Sequence, residues 1–351
     1  MQRLSRFVAL SLLLLAAACG EAPKKKEEAM APEPDAKLVK VTFVTDWKAQ
    51  AEHGGFYQAL ATGLYAKAGL DVTIKQGGPA VNTPQLIAAG AVDFAIGSNS
   101  FQPLNLVTAD GDAIAVAAIF QKDPQVLITH DRKDVKSIAD MKGKAIMISD
   151  ATVSTWWIWA KTRYKFDDKQ IRKYTFNLAP FLTDANAIQQ GYVTSEPFTI
   201  ETEGKIKPQV FLLADYGYPG YSNFIMARGS DVRGRPQIVQ AFVDASIDGW
   251  NSYLDGDPAP ANALIKKDNP EMTDAIIANA IAQMRARGMV QGGDAGTLGV
   301  GAMTDERWKT FFDMMKEAKV YDDKVDVAKA YTLSFVNKGR GVPAPTAKES
   351  K

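Results

Sequence analysis

An α/β fold of two lobes is predicted by three features of the 351-residue sequence. Strand-like and helix-like segments alternate along it, the part between the two low-complexity ends is long enough for two separate cores, and its last third turns mainly helical. Residues 38–45 form a β-branched run that reads as a strand. Residues 54–68 repeat apolar side chains at helical spacing until Gly69 stops them. A second strand follows at 70–76, then a helix at 84–90 that leads to a buried strand at 94–96. Residues 113–119 and 125–129 read as further strands. A new helix–strand unit starts at 138–141 and ends at 145–149, and segments 154–164, 184–190 and 210–213 extend the pattern. Four helices are then expected at 236–254, 257–266, 272–287 and 305–318.

The ends read differently. Arg3 and Arg6 precede an apolar run over residues 7–18 that is too short to span a bilayer, which is the pattern of a secretory signal peptide. It closes with Leu15-Ala16-Ala17-Ala18 directly before Cys19, the only cysteine. This spacing suggests cleavage before Cys19 and its lipidation, with acyl chains holding the domain on the outer face of the cytoplasmic membrane. An ordinary cleaved signal with a chance cysteine is the alternative. Residues 19–36, rich in Ala, Pro, Lys and Glu, read as a flexible tether, and 339–351 as a flexible tail.

With Cys19 lipidated, the mature domain has no cysteine for disulfides, thiol catalysis or cysteine-based metal sites, and no metal or cofactor is expected. A net charge of +1 without a basic stripe argues against nucleic acid as a partner.

The stretch over residues 46–65 contains Asp46-Trp47, His53-Gly54-Gly55-Phe56-Tyr57 and Gly63-Leu64-Tyr65, and Gly69-Leu70-Asp71-Val72 follows it. It resembles the opening of periplasmic substrate-binding proteins of ABC importers in the nitrate, sulfonate and taurine superfamily. Within that group it is most similar to the branch that binds thiamine pyrimidine precursors. Further pieces match in order: Gly97-Ser98, Asp184-Ala185, Gly191-Tyr192 with Glu196-Pro197, and Gly217-Tyr218-Pro219 before Tyr221-Ser222-Asn223. The resemblance implies a type II clamshell with a ligand cleft between the lobes. Lobe 1 would be formed by 37–128 and 221–338, and lobe 2 by 129–220. It also implies a monomer that delivers a formylaminopyrimidine or hydroxymethylpyrimidine compound to a permease and its ATPase. Riboflavin, an aliphatic sulfonate or nitrate are alternative cargoes, and a lipid-anchored sensor or an enzyme on the same fold is the alternative from another class.

Candidate ligand residues follow from what a planar heteroaromatic needs, namely ring faces and a few fixed polar groups. Trp47, just after the first strand, and Tyr192 supply faces. Glu196 stands four residues after Tyr192, the spacing at which the resembling family has a tyrosine and an acceptor glutamate; otherwise it is a solvated loop residue. A carboxylate there favours an amino-bearing ring. His53 either contacts the ligand or holds Asp46. Ser98, Asn99 and Ser100 either ring a polar substituent or cap a helix after Pro103. In Trp156-Trp157-Ile158-Trp159, Trp156 and Trp159 share a helix face, so at least one ring belongs to the core and another can widen the cleft. Tyr218, near the return crossing, poses the same choice. His130 is expected near an interlobe crossing.

Enzyme readings find little support. Fungal relatives of the superfamily use a histidine of their own chain with iron near a cysteine-rich motif, and no cysteine follows Cys19. The glycine-rich stretch over 292–301 lacks the Gly-Lys-Ser/Thr ending of a phosphate loop and reads as a flexible loop. The pairs Asp167-Asp168 and Asp322-Asp323 have no histidine partners.

Overall fold

The computed structural model describes residues 37–79 and 81–342. The expected signal peptide, the Cys19 lipidation site, the tether and residues 343–351 lie outside them. Two five-stranded sheets organise the described residues. The first contains β1 (Val39–Val44), β2 (Leu70–Lys75), β3 (Phe94–Asn99), β4 (Ala113–Phe120) and β10 (Ser222–Arg228), in the order β2-β1-β3-β10-β4. The second contains β5 (Gln125–Thr129), β6 (Ile146–Ile148), β7 (Ile171–Lys173), β8 (Ile188–Tyr192) and β9 (Gln209–Leu212), in the order β7-β6-β8-β5-β9. Helices accompany both sheets, giving the two-lobed α/β clamshell.

The two sheets share one plan. In each, three strands run parallel and the fourth in spatial order is antiparallel to both neighbours: β10 in the first, β5 in the second. These two are also the strands through which the chain enters a lobe from the other one. Ser222 of β10 stands opposite Phe120 of β4, and Val126 of β5 opposite Leu212 of β9. Both crossings, residues 121–124 and 213–221, therefore meet at the floor between the lobes.

The first crossing lies earlier than expected, because β5 is fully paired with β8 and β9 in the second sheet. His130 consequently sits at the end of β5 remote from the crossing. There its ring stacks on Phe181 at 4.5 Å, and Nε2 lies 2.8 Å from the Phe181 carbonyl oxygen. The expected helix over 54–68 is two helices, Gly54–Ala61 and Leu64–Lys67, broken where Gly63 takes φ +71°. The stretch over 292–301 is tied down, with Ala118 N donating to Gly301 O and Val300 N to Arg340 O. Residues 339–342 are likewise fixed: Gly339 N donates to Leu298 O, and Arg340 pairs with Asp248.

The core of the first lobe explains the glycine pair after His53. The long helix Pro236–Asp255 crosses Gly54–Ala61 so closely that a Cβ on Gly55 would lie 2.2 Å from the Trp250 ring. A Cβ on Gly249 would lie 2.2 Å from the Gly55 carbonyl oxygen. Phe242 of the long helix stacks on Phe94 at 4.1 Å and meets Phe43 at 5.2 Å, locking helix to sheet. This packing fixes the carboxyl ends of β1 and β3, where ligands of open α/β sheets bind.

Candidate ligand-binding cleft

Asp46 and Trp47 leave the carboxyl end of β1 on a loop held by the segment after β2. Thr45 Oγ1 donates to Trp47 O at 2.7 Å, and Gly77 N donates to the same carbonyl at 3.0 Å. Ala49 N donates to Gln76 Oε1 at 3.0 Å. A Cβ on Gly77 would lie 2.2 Å from Thr45 O, so only glycine permits this approach. The 3-10 turn Ala51–His53 then leads into Gly54–Ala61. His53 is 1% exposed, and its Nε2 lies 3.1 Å from Asp46 Oδ1. Nδ1 of the same ring is buried without a partner among the described residues.

Tyr192 ends β8 and faces this loop from the second lobe. Its N–H donates to Glu196 Oε2 at 2.8 Å, so the carboxylate closes the turn into the helix Glu196–Thr202. Tyr174 Oη donates to the other oxygen at 3.4 Å. Glu196 is thus no solvated loop residue. Burial raises its pKa, opposed by the bond from Tyr192 N.

Two buried acidic residues outside the sequence expectations, Glu52 and Asp123, act on the same region. Glu52 is buried, accepts from Thr194 Oγ1 of the second lobe, and has its pKa raised by desolvation. Asn223, at φ +52°, donates from Nδ2 to Glu52 O at 2.7 Å and keeps Oδ1 buried without a protein partner. Asp123 lies in the first crossing, accepts from Gln125 N at 2.9 Å, and is pushed up to about 7 by burial, partly offset by that bond and by Arg307. Tyr192 is held well above its ordinary pKa, first by burial and then by the negative charge of Asp123, Asp46, Glu52 and Glu196. The charges of these four carboxyl groups all act on the one phenol. The nearby cation, Arg307, is engaged elsewhere: it donates to the carbonyls of Pro219, Gly220 and Gln121, and its guanidinium lies 3.9 Å over the Tyr221 ring.

The other expected residues divide. Ser98 lines an open groove of about 320 Å³ together with Asp46, Asn82 and Gln102. Asn99 Oδ1 accepts from Phe101 N at 3.1 Å, capping a helix that begins at Phe101 rather than after Pro103. Ser100 turns inward, with Oγ bonded to Tyr221 N at 3.0 Å and Tyr221 O at 3.2 Å. Trp156, Trp157 and Trp159 are all buried. Trp156 Nε1 donates to Gln125 Oε1 at 3.1 Å and Trp157 Nε1 to Asp168 Oδ1 at 2.9 Å. Tyr218 is buried between Trp159 and Phe311, with ring centroids at 5.3 and 6.2 Å, and so wedges the return crossing between elements of both lobes. The rings of Trp156 and Tyr218 fill interior space, with almost none of either residue exposed.

Comparison with known proteins sets this cleft in context. A family model described as NMT1/THI5 like matches residues 50–261. The chain is 24% identical over 241 residues to the formylaminopyrimidine-binding protein of Halalkalibacterium halodurans, covering 66% of this chain and 71% of that one. It is 23% identical over 342 residues to the riboflavin-binding protein RibY of Chloroflexus aurantiacus, covering 94% and 96%. Among solved structures, the periplasmic aliphatic sulphonate binding protein SsuA of Escherichia coli superposes with a TM-score of 0.63 at 14% identity, covering 83% of this chain and 91% of SsuA.

Proposed function

The chain belongs to the NMT1/THI5-like family, and from that premise we propose that it is the substrate-binding protein of an ABC importer whose cargo is an amine-bearing pyrimidine of the thiamine-precursor type. The observation that carries this reading is the set of carboxyl groups around Tyr192. Carboxyl groups pair well with exocyclic amines and protonated ring nitrogens, whereas a sulfonate or nitrate would be repelled by those that are ionised. In this reading Trp47 and Tyr192 offer ring faces. Glu196 and Asp46 accept, His53 positions Asp46, Ser98 borders the groove, and Asn99 lies beside it in sequence. Trp156 and Tyr218 support the wall from behind. Capture takes place outside the cytoplasmic membrane, on a chain anchored through Cys19, and a permease with its ATPase receives the ligand.

Riboflavin is the second reading, favoured by a likeness to RibY that runs over nearly the whole of both chains. Calorimetry and thermal shift against formylaminopyrimidine, hydroxymethylpyrimidine, riboflavin, taurine and nitrate separate the two. A ligand at about 100 times its Kd stabilises the folded state by about 2.7 kcal/mol. A response to a pyrimidine supports the first reading, a response to riboflavin alone replaces it with the second, and a response to taurine or nitrate overturns both.

A further inference from the structure

Phe176 stands out on two counts. It lies between β7 and the helix Ala179–Thr183 at φ +62°, a left-handed conformation that a bulky aromatic residue rarely adopts, and its side chain is 54% exposed. Strain of this kind persists where surrounding structure enforces it, often at ligand clamps. Burial within its own lobe does not account for it, since more than half the residue faces solvent.

What the ring does meet is the other lobe. Its centroid lies 5.3 Å from that of Trp47 with the planes inclined by 47°, while within its own lobe it lies 5.3 Å from that of Tyr174, the tyrosine that donates to Glu196. Both sides of the contact rest on fixed backbone. The Trp47 carbonyl is held by Thr45 and Gly77, and Asn177 Oδ1 accepts from Ala179 N at 2.9 Å immediately after Phe176. An aromatic residue displayed outward on a strained backbone in one lobe thus touches the indole expected to face the ligand in the other.

We propose that Phe176 is a retention and specificity residue: with Trp47 it forms an aromatic clasp across the mouth of the cleft, and this clasp sets how long a planar ligand stays bound. The identity of the retained ligand rests on the pyrimidine reading; the clasp itself does not. Because the contact bridges the two lobes and must break for them to part, its loss acts on release and not on encounter.

Two measurements on the full chain carrying Cys19→Ser test this. In the first, Phe176→Cys is labelled with bimane, whose emission tryptophan quenches on contact, and is compared with the same chain carrying Trp47→Phe. Emission about twofold lower or more with Trp47 present is the expected result. Equal emission in both chains, with and without formylaminopyrimidine or riboflavin, overturns the clasp. In the second, stopped-flow release of whichever of these two probes binds is compared across variants. Phe176→Ala should raise the dissociation rate about tenfold with the association rate within about twofold, and Phe176→Tyr should restore slow release. An unchanged dissociation rate in Phe176→Ala overturns the proposal. If neither probe binds, the pyrimidine reading fails, and the bimane comparison still decides the clasp.

Discussion

Glu52 in the first lobe accepts a hydrogen bond from the hydroxyl of Thr194 in the second. Thr194 also accepts through its carbonyl from Asn279 Nδ2 at 3.3 Å, so one residue of the second lobe is held at two points by the first. Separating the lobes breaks both contacts. Thr194→Val keeps the shape and removes the hydroxyl, leaving a buried carboxyl group short of a donor, at a cost of about 1–3 kcal/mol to the closed state. Ligand affinity should fall by about tenfold or more, read by calorimetry, and scattering from the unliganded chain should show a larger radius of gyration.

Glu196→Gln preserves the acceptor for Tyr192 N while removing the charge. If an amine donates to this carboxylate, affinity for formylaminopyrimidine should drop by about tenfold or more, with little change in the unliganded melting temperature. Equal affinity in the two chains would remove Glu196 from the ligand contacts.

The pH dependence of folding has a definite sign at Asp123. Its folded pKa is raised to about 7, chiefly by burial, so the folded chain holds a proton that the unfolded chain releases near its ordinary value of 3.8. The stability this contributes is fully present below about 4 and is lost as pH rises through about 7, an effect on the order of a few kcal/mol. Urea denaturation at pH 5 and pH 8 should therefore show wild type losing more stability across this interval than Asp123→Asn. Parallel losses in the two proteins contradict the assignment.

Gly249→Ala places a methyl group where the Gly55 carbonyl oxygen would lie 2.2 Å away and Ala59 Cβ 2.8 Å away. Alanine is the better helix former by about 1 kcal/mol, and here the overlap outweighs that gain. A net loss of about 1–3 kcal/mol in urea denaturation is expected, because backbone on both helices must shift. A gain in stability would show that the crossing of Pro236–Asp255 over Gly54–Ala61 has room for a methyl group.

Much of the fold can be read from hydrophobic period, because β1 to β4 and the four late helices each bury one face or both. β10 is a different case. The run from Ser222 to Arg228 follows a tyrosine-rich crossing, and nothing local marks it as the strand that sits between β3 and β4. The break at Gly63 is hidden for a related reason, since apolar spacing continues across it. At the candidate site, Asp46, Trp47, His53, Tyr192 and Glu196 could be proposed from sequence because they belong to local patterns. Glu52, Asp123, Thr194 and Phe176 gain their roles only when the lobes meet, which no local spacing encodes. Glu52 had one available signal, its place beside His53 in the recognised stretch.

The registers at the two crossings have a consequence for how such a chain can be rebuilt. Ser222 faces Phe120 across an antiparallel ladder, and Leu212 faces Val126 across another. Topologically the entire second lobe is a loop inserted at the tip of a hairpin made by β4 and β10, and its own entry and exit points are neighbours. Such an insert is a transplantable cassette: residues 125–212 could be exchanged for the equivalent segment of a relative without re-pairing any strand of the first sheet.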